Sequence, residues 1–422
     1  MKFNMRIRSS KHRGPKRALD TLSLRGFFYA FLNKENWSGR VGDFWRNLRS
    51  KRSVFFGTVT LLVRASGERK AVGRHSKLFP LSFLCCALAA APAATTVASE
   101  ANSPSAAPEH EIWLAPQSLP PPPAAQDADF MSMFTPSAPW SFTSSHTQVF
   151  KLYGSYLPFA AQDEINTVVA DLNQRGIDIA LEVGVMNVGP ATTNPPCGGM
   201  GVLEGYGTPF LANLISAKIK EAGGQIKYIV MDEPIYYGHY YDGPHACQNT
   251  LNEILNLVTP TLAAYIDQFP DVIIGEAEPA SQTATYPGWQ NDLLTWATMF
   301  KQTLGAPLAF MQLDILWTNG PIYSDLQNPL AYYAEVKQLQ SQGLIERVGI
   351  IHDASPLDTT DAAWAQDTRN HIMWMEGHFG LRPDQDIFQS FLPNPTHALP
   401  ESDPEALTSL VPWYHSMPFA QP

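Results

Sequence analysis

The residues of this chain best equipped for chemistry are acids that recur where short apolar runs end. They are Glu182 (LEVG), Asp232 and Glu233 (VMDEP), Glu276 and Glu278 (GEAEP), Asp314 (MQLDILW), and His352 with Asp353 (IIHDA). Desolvating a carboxylate without a partner costs several kcal/mol, so a purely structural strand end carries few of them. Lys151 and Lys227 are the bases inside these runs, with Arg347 opening the seventh, too few to neutralise the acids. Some of the carboxyls are therefore expected to hold their protons above the ordinary range, the usual condition of a catalytic acid. A protonated and an ionised carboxyl together can cleave a glycosidic bond. One donates to the leaving oxygen, and the other attacks or activates water.

Such groups need elements to hold them. After residue 110 short apolar runs alternate with longer amphipathic ones. Eight runs read as strands: Glu111–Pro116, Val149–Tyr156, Asp178–Val185, Ile226–Glu233, Asp271–Glu278, Leu308–Leu316, Arg347–Asp353 and Asp386–Leu392. Between them, Ile165, Val168, Val169 and Leu172 show helical spacing, as do Leu211, Leu214, Ile215 and Ile219, and both segments end at glycine. Alternating strands and helices imply parallel pairing, and eight such units close into a single-domain (β/α)8 TIM barrel of class α/β. An open doubly wound sheet is the structural alternative. Met131–Ser145 is rich in Pro and Ser and reads poorly as a helix. In such barrels functional residues sit at the C-terminal ends of strands. Strand parity pairs Glu276 with Glu278, Gln312 with Asp314, and Ala180 with Glu182. With Ala277, Leu313 and Leu181 packed against helices, those polar residues are expected to point into the barrel mouth.

Asp232-Glu233-Pro234, at the end of the fourth strand, resembles the Asn-Glu-Pro motif of the cellulase- and mannanase-type (β/α)8 glycoside hydrolase superfamily. The resemblance implies that Glu233 is the general acid/base, and that Asp232 replaces the Asn that binds the sugar hydroxyl beside the reacting carbon. It also implies a nucleophilic Glu on strand seven, where this chain has His352-Asp353. A His-Asp there is similar to the α-amylase-type barrels, which use an Asp on strand four and a Glu on strand five. Asp232 and Glu276 or Glu278 would stand for these, but Val230 occupies the place of that group's Arg. Glu276, Glu278 and Asp353 thus compete as the second catalytic carboxylate beside Glu233. Glu182, Asp232, Asp314 and His352 are expected to contact substrate.

The neighbouring loops favour a sugar. Tyr236, Tyr237 and Tyr240 follow strand four, Trp289 follows strand five and Trp317 ends strand six. Flat aromatic faces stack on the apolar faces of sugar rings. Cys197 and Cys247 lie in the loops after strands three and four, and are expected to form a disulfide above one face of the barrel.

Charge divides the chain. Residues 1–78 hold 19 of the 29 Lys and Arg and only four acids, which leaves the remainder with a formal charge of about −25. Residues 1–67 read as a basic, disordered leader or as sequence upstream of the true start. Residues 68–99 read as a signal peptide, with basic residues before the apolar run Leu78–Ala91 and small residues after it. Residues 100–422 are the barrel domain, expected to be secreted or periplasmic without stable membrane insertion. The acidic balance excludes nucleic acid as a partner. No Gly-x-Ser-x-Gly elbow, phosphate loop or dinucleotide fingerprint is present, so no cofactor is expected. A carbohydrate is the expected substrate. Two other functions fit the pattern: a metal-dependent hydrolase using His352, Asp353, Asp314 and a Glu, and a non-catalytic carbohydrate-binding barrel.

Overall fold

The computed structural model describes residues 110–118, 128–187, 197–199, 202–318, 320–390 and 393–420. The leader and the signal peptide lie outside the described residues. Eight parallel strands close a barrel: β1 (Glu111–Ala115), β2 (Val149–Tyr153), β3 (Asp178–Val183), β4 (Ile226–Asp232), β5 (Ile273–Pro279), β6 (Met311–Asp314), β7 (Val348–His352) and β8 (Gln385–Gln389). Each strand pairs with its neighbours in sequence, and β1 pairs with β8 through Trp113 opposite Ile387. That pairing excludes the open sheet. All eight expected strands are present, most of them a few residues shorter than their apolar runs.

The principal helices are α1 (Ser141–His146), α2 (Gln162–Arg175), α3 (Pro209–Glu221), α4 (Leu251–Gln268), α5 (Trp289–Leu304), α6 (Ile322–Ser341), α7 (Asp361–Ile372) and α8 (Leu410–His415). Local chemistry sets their ends. Thr208 caps α3 by accepting from the Leu211 N–H at 3.1 Å, with Pro209 at the first helical position. Thr250 and Glu253 form a reciprocal capping box on α4. Gly176 ends α2 in the left-handed conformation. The first helix is weak, as its composition predicts: a 3-10 turn at Phe130–Met133 and the six residues of α1 replace it.

Two hydrophobic layers result. The larger lies between strands and helices. The smaller fills the barrel with Trp113, Ala180, Tyr228, Val230, Ala277, Phe310, Ile351 and Ile387. Gly275 faces this interior against the Phe310 ring, and any side chain there would collide with it. Facing residues of alternate size are how a small barrel fills its bore.

The loops after β3 and β4 are tied together. Met186–Asn187 pairs in parallel with Tyr206–Gly207. Cys197 and Cys247 form a disulfide with Cα atoms 4.9 Å apart, and the Gly198 N–H donates to the His245 carbonyl at 2.7 Å. The bridge spans a sequence separation of 50. By the chain-entropy account, closing a loop of that length stabilises by roughly 2–4 kcal/mol. Replacing both cysteines by serine should lower the unfolding free energy by that amount in a urea titration under oxidising conditions. An unchanged midpoint would show that the loops are held by other contacts.

Candidate active site

Strand parity decides which acids reach the mouth. On β3, Ala180 lies in the interior layer, so Glu182 faces inward; on β6, Gln312 meets Gly349 and Gln385 inside the barrel, and Asp314 follows on the same face. On β7, Ile351 faces the interior and puts Asp353 at the mouth. On β4, Tyr228 and Val230 are interior, so Asp232 ends that strand facing inward. These four strand faces agree with the sequence reading.

β5 does not. Gly275 and Ala277 are the interior residues, so Glu276 and Glu278 point outward, into the layer between strands and helices. Both are wholly buried. The indole Nε1 of Trp296 on α5 donates to both oxygens of Glu276, at 3.0 and 2.9 Å. Glu278 accepts from the backbone N–H groups of Ile235 and Tyr236, at 2.7 and 3.1 Å. An outward slot is normally apolar, and fixed donors are what make these two carboxyls tolerable there. They are thus removed from the group facing the mouth.

His352 is displaced for the same reason. It alternates with Ile351 and lies outside the barrel, buried with Asp386 and Glu376. Its Nε2 is 2.6 Å from Asp386 Oδ1 and 3.6 Å from Glu376 Oε1. Tyr414 donates to both acids, and His110 Nε2 lies 2.5 Å from Asp386. These residues tie β7 and β8 to α8. The metal set of His352, Asp353, Asp314 and a Glu does not converge, because His352 and Asp353 face opposite sides of the wall. Of the described residues, His352, Glu376 and Asp386 bring three metal-ligating atoms together, but on the outer side.

Glu233 follows the end of β4 with a positive φ of 47°, a conformation that non-glycine residues rarely adopt. Such strain persists where surrounding structure over-determines it, often at functional sites. Its N–H is held by the Ala277 carbonyl at 3.0 Å, and Glu278 anchors the next two N–H groups. The turn breaks strand alternation and brings the Glu233 carboxyl under the influence of Glu204, Asp314, Asp232 and Glu278. Burial, then these charges, push its pKa well above the carboxylate range. Asp232 is raised by burial, Glu182 and Glu204, against the opposing pull of Lys151 and the Gly205 N–H. Asp353 is raised by burial and Asp314.

Two members of this group were not singled out as site residues from the sequence. Lys151, fully buried inside the barrel, is ion-paired to Glu182. Glu204 accepts the hydroxyl of Tyr237. Its only sequence signal is a lone acid in a glycine-rich loop after strand three. Gly205 lets that loop pass against β4, since a Cβ there would lie 3.0 Å from the Asp232 carbonyl. The mouth therefore gathers Glu182, Glu204, Asp232, Glu233, Asp314 and Asp353, all partly exposed.

The aromatics divide as well. Tyr236, Tyr237 and Tyr241 are half-buried and mutually packed on the π-helical turn Tyr236–Tyr240, with centroids 5.1–6.2 Å apart. Tyr240 is buried instead, stacked on Tyr286 and donating to Asp292 at 2.7 Å. Trp289 is buried against Tyr332 between α5 and α6. Trp317 is buried with His371 stacked on its face at 3.5 Å. The sequence reading that gave Tyr240, Trp289 and Trp317 to a sugar is corrected by this packing. Trp317 instead neighbours Asp353, whose charged form it favours. An open groove of about 770 Å³, lined in part by Asp178, Lys227 and Asp271, lies at the opposite end of the barrel, away from these acids.

No family model and no curated protein matches the chain. Among solved structures, it is similar to a GH5_18 protein from Streptomyces cattleya, with 11% identity over 74% of this chain and 83% of that one, at a TM-score of 0.41. Xylanase XynB from Paenibacillus barcinonensis has 11% identity over 67% and 84%, at 0.39. The GH53 catalytic domain from Ignisphaera aggregans has 8% over 68% and 85%, at 0.38. The barrel assignment itself rests on the strand order.

The outer acids predict a pH dependence of stability. Burial pushes Glu276 up to about 8, and burial with Asp386 pushes Glu376 up to about 9. Burial also disfavours the charge on Asp386, but hydrogen bonds from His110 and His352 outweigh it and hold that carboxyl below its ordinary range. A carboxyl whose pKa is raised by folding binds its proton more tightly in the folded state. Its contribution is complete below an unfolded pKa of 4.5 and is lost as pH rises towards about 8 or 9. Urea unfolding should therefore show stability falling between pH 5 and 9, by at most about 1.4 kcal/mol per pH unit for each group. Glu276→Gln should flatten the lower part of that slope. A slope unchanged in the variant would rule out the protonated form of Glu276.

Proposed function

We propose that this chain is a glycoside hydrolase that cleaves a poly- or oligosaccharide with two carboxyls at the barrel mouth. The observation that carries this reading is Glu233: a strained residue at the end of β4, held by the Ala277 carbonyl and beside the Glu278 anchor, its protonated form favoured by burial and by the acids around it. A carboxyl whose pKa is raised, so that it can hold a proton to donate, is what a leaving glycosidic oxygen requires. Asp353, on β7 across the mouth, is the second catalytic carboxyl. Of the three earlier candidates it is the one facing the mouth, and Asp314 lies in the intervening arc. Glu278 is a positioning residue, acting on Glu233 through the turn it anchors.

The reaction follows from these roles. The Glu233 proton passes to the leaving oxygen as the anomeric C–O bond breaks. Water supplies the hydroxyl to the anomeric carbon, either directly with Asp353 as base or after a glycosyl ester on Asp353. The water's other proton returns to a carboxylate. Glu182, Asp232 and Asp314 bind sugar hydroxyls, and Tyr236 and Tyr237 present ring surface. The domain from residue 100 onward acts after export, with residues 68–99 removed. The disulfide suits an oxidising compartment. Among the described residues no helix is long and apolar enough to cross a membrane.

Glu233→Gln should lower kcat by roughly 10²–10⁴ on natural linkages, while far-UV and near-UV circular dichroism stay unchanged. Aryl glycosides with good leaving groups should lose much less. Equal losses on both substrate types would remove Glu233 from the acid role. Asp353→Asn should abolish turnover, and a fluorinated glycoside should label the Asp353 peptide if the mechanism is retaining. Glu278→Gln should shift the pH profile set by Glu233 and leave the Asp353 peptide labelled. Labelling of Glu278 itself would overturn the assignment.

A further inference from the structure

Two carboxyls suffice for glycoside hydrolysis, and the mouth holds six. Lys151 balances Glu182, and the Tyr237 hydroxyl serves Glu204. Lys151 is also the one cation with a strong influence on Asp232 or Asp353, and none acts strongly on Glu233. The remaining acids repel one another. Gln389 adds an independent sign. It ends β8 on the interior face, two residues beyond Ile387 and in register with Ala115. It is 4% exposed, and its Oε1 has no hydrogen-bond partner. A buried acceptor without a donor is costly. One turned into a binding mouth is a place for a ligand's donor.

Building on the glycoside hydrolase reading, we propose that the mouth recognises a sugar bearing free amino groups, a partly or fully deacetylated hexosamine oligomer. An ammonium group offers three donors, no acceptor and a positive charge. The mouth offers the complement: carboxylates, an amide oxygen and an excess of negative charge. A hydroxyl at the same place would leave the repulsion uncompensated, and a uronic acid or sulfated sugar would increase it. Asp232 is the residue next to the proton donor. A carboxylate there accepts only, whereas an amide would also donate. An incoming ammonium favours ionisation of neighbouring acids, so binding should release protons.

The test uses the exported protein, from residue 100 onward, with glucosamine and galactosamine oligomers, their N-acetylated counterparts of equal length, and neutral hexose oligomers. Free-amine oligomers should be cleaved with kcat/KM at least roughly tenfold above the others, a preference that shrinks as salt screens the mouth. Glu204→Gln should narrow the ratio. Calorimetry with Glu233→Gln, in buffers of different ionisation enthalpy, should show proton release on binding a glucosamine hexamer. Cleavage of acetylated or neutral oligomers with kcat/KM equal to that of the free-amine ones would overturn the amino-sugar inference and leave the hydrolase reading intact. If nothing is cleaved, the hydrolase reading fails, and calorimetry on the unaltered protein decides the ligand. Tighter binding of the glucosamine hexamer than of its acetylated form would sustain the inference, and equal or absent binding would overturn it.

Discussion

Mutual repulsion among carboxyls confined to one end of a closed barrel governs the chemistry of this protein. Two like charges 4 Å apart cost about 4 kcal/mol at the effective dielectric of a protein surface. Six acids at one mouth cannot all be ionised without help. Help comes in three forms. Lys151 sits fully buried in the bore and neutralises Glu182. Fixed donors serve others: the Tyr237 hydroxyl for Glu204 and the Gly205 N–H for Asp232. The rest of the repulsion is relieved by protons, and Glu233, buried and with several acids around it, is where a retained proton is most useful.

The same residue type serves another purpose one strand position away. Glu276 and Glu278 share β5 with the interior residue Ala277, yet they face the helices. Their task is mechanical. Glu278 binds the first N–H groups of the turn that begins at Ile235, and so holds the backbone immediately after Glu233. A carboxyl at the start of a helical turn is a familiar capping arrangement. Glu276 links the strand to α5 through Trp296. On the opposite side, His352, Asp386, Glu376 and Tyr414 bind β7 and β8 to the C-terminal helix, near the β1–β8 seam that closes the barrel. The outer layer thus fixes the strand ends from which the mouth acids project.

The loops divide in a similar way. The disulfide joins the segments after β3 and β4, the two that carry Glu204 and the tyrosines. Tyr236, Tyr237 and Tyr241 pack as a half-buried group on one turn, whereas Tyr240 turns inward to Tyr286 and Asp292. A π-helical turn spreads its residues around a full circle. Consecutive tyrosines therefore cannot all face one ligand, and one of them becomes part of the core.

Much of this was legible in the chain itself. Apolar runs of strand length, alternating with segments of helical spacing, determine a parallel barrel, because parallel strands need a crossover helix and eight such units close. Glu233 at the end of strand four, Asp314 and Glu182 on interior faces, and the Cys197–Cys247 bridge all follow from position along those runs. What the sequence could not decide was the side of the wall on which each strand-end residue falls. Glu276, Glu278 and His352 look like mouth residues because they are polar, and polarity is a reliable guide to direction only when the other face has no donors to offer. Trp296, the N–H groups of Ile235 and Tyr236, and Asp386 supply those partners from 20 to more than 40 residues away in the chain. Glu204 entered the mouth by the converse route, through a glycine and a disulfide that fold a featureless loop back onto β4. Composition and spacing determined the scaffold and the excess of acid. Only tertiary packing, by placing a donor or a charge beside each carboxyl, decided which acids brace the barrel and which face its mouth.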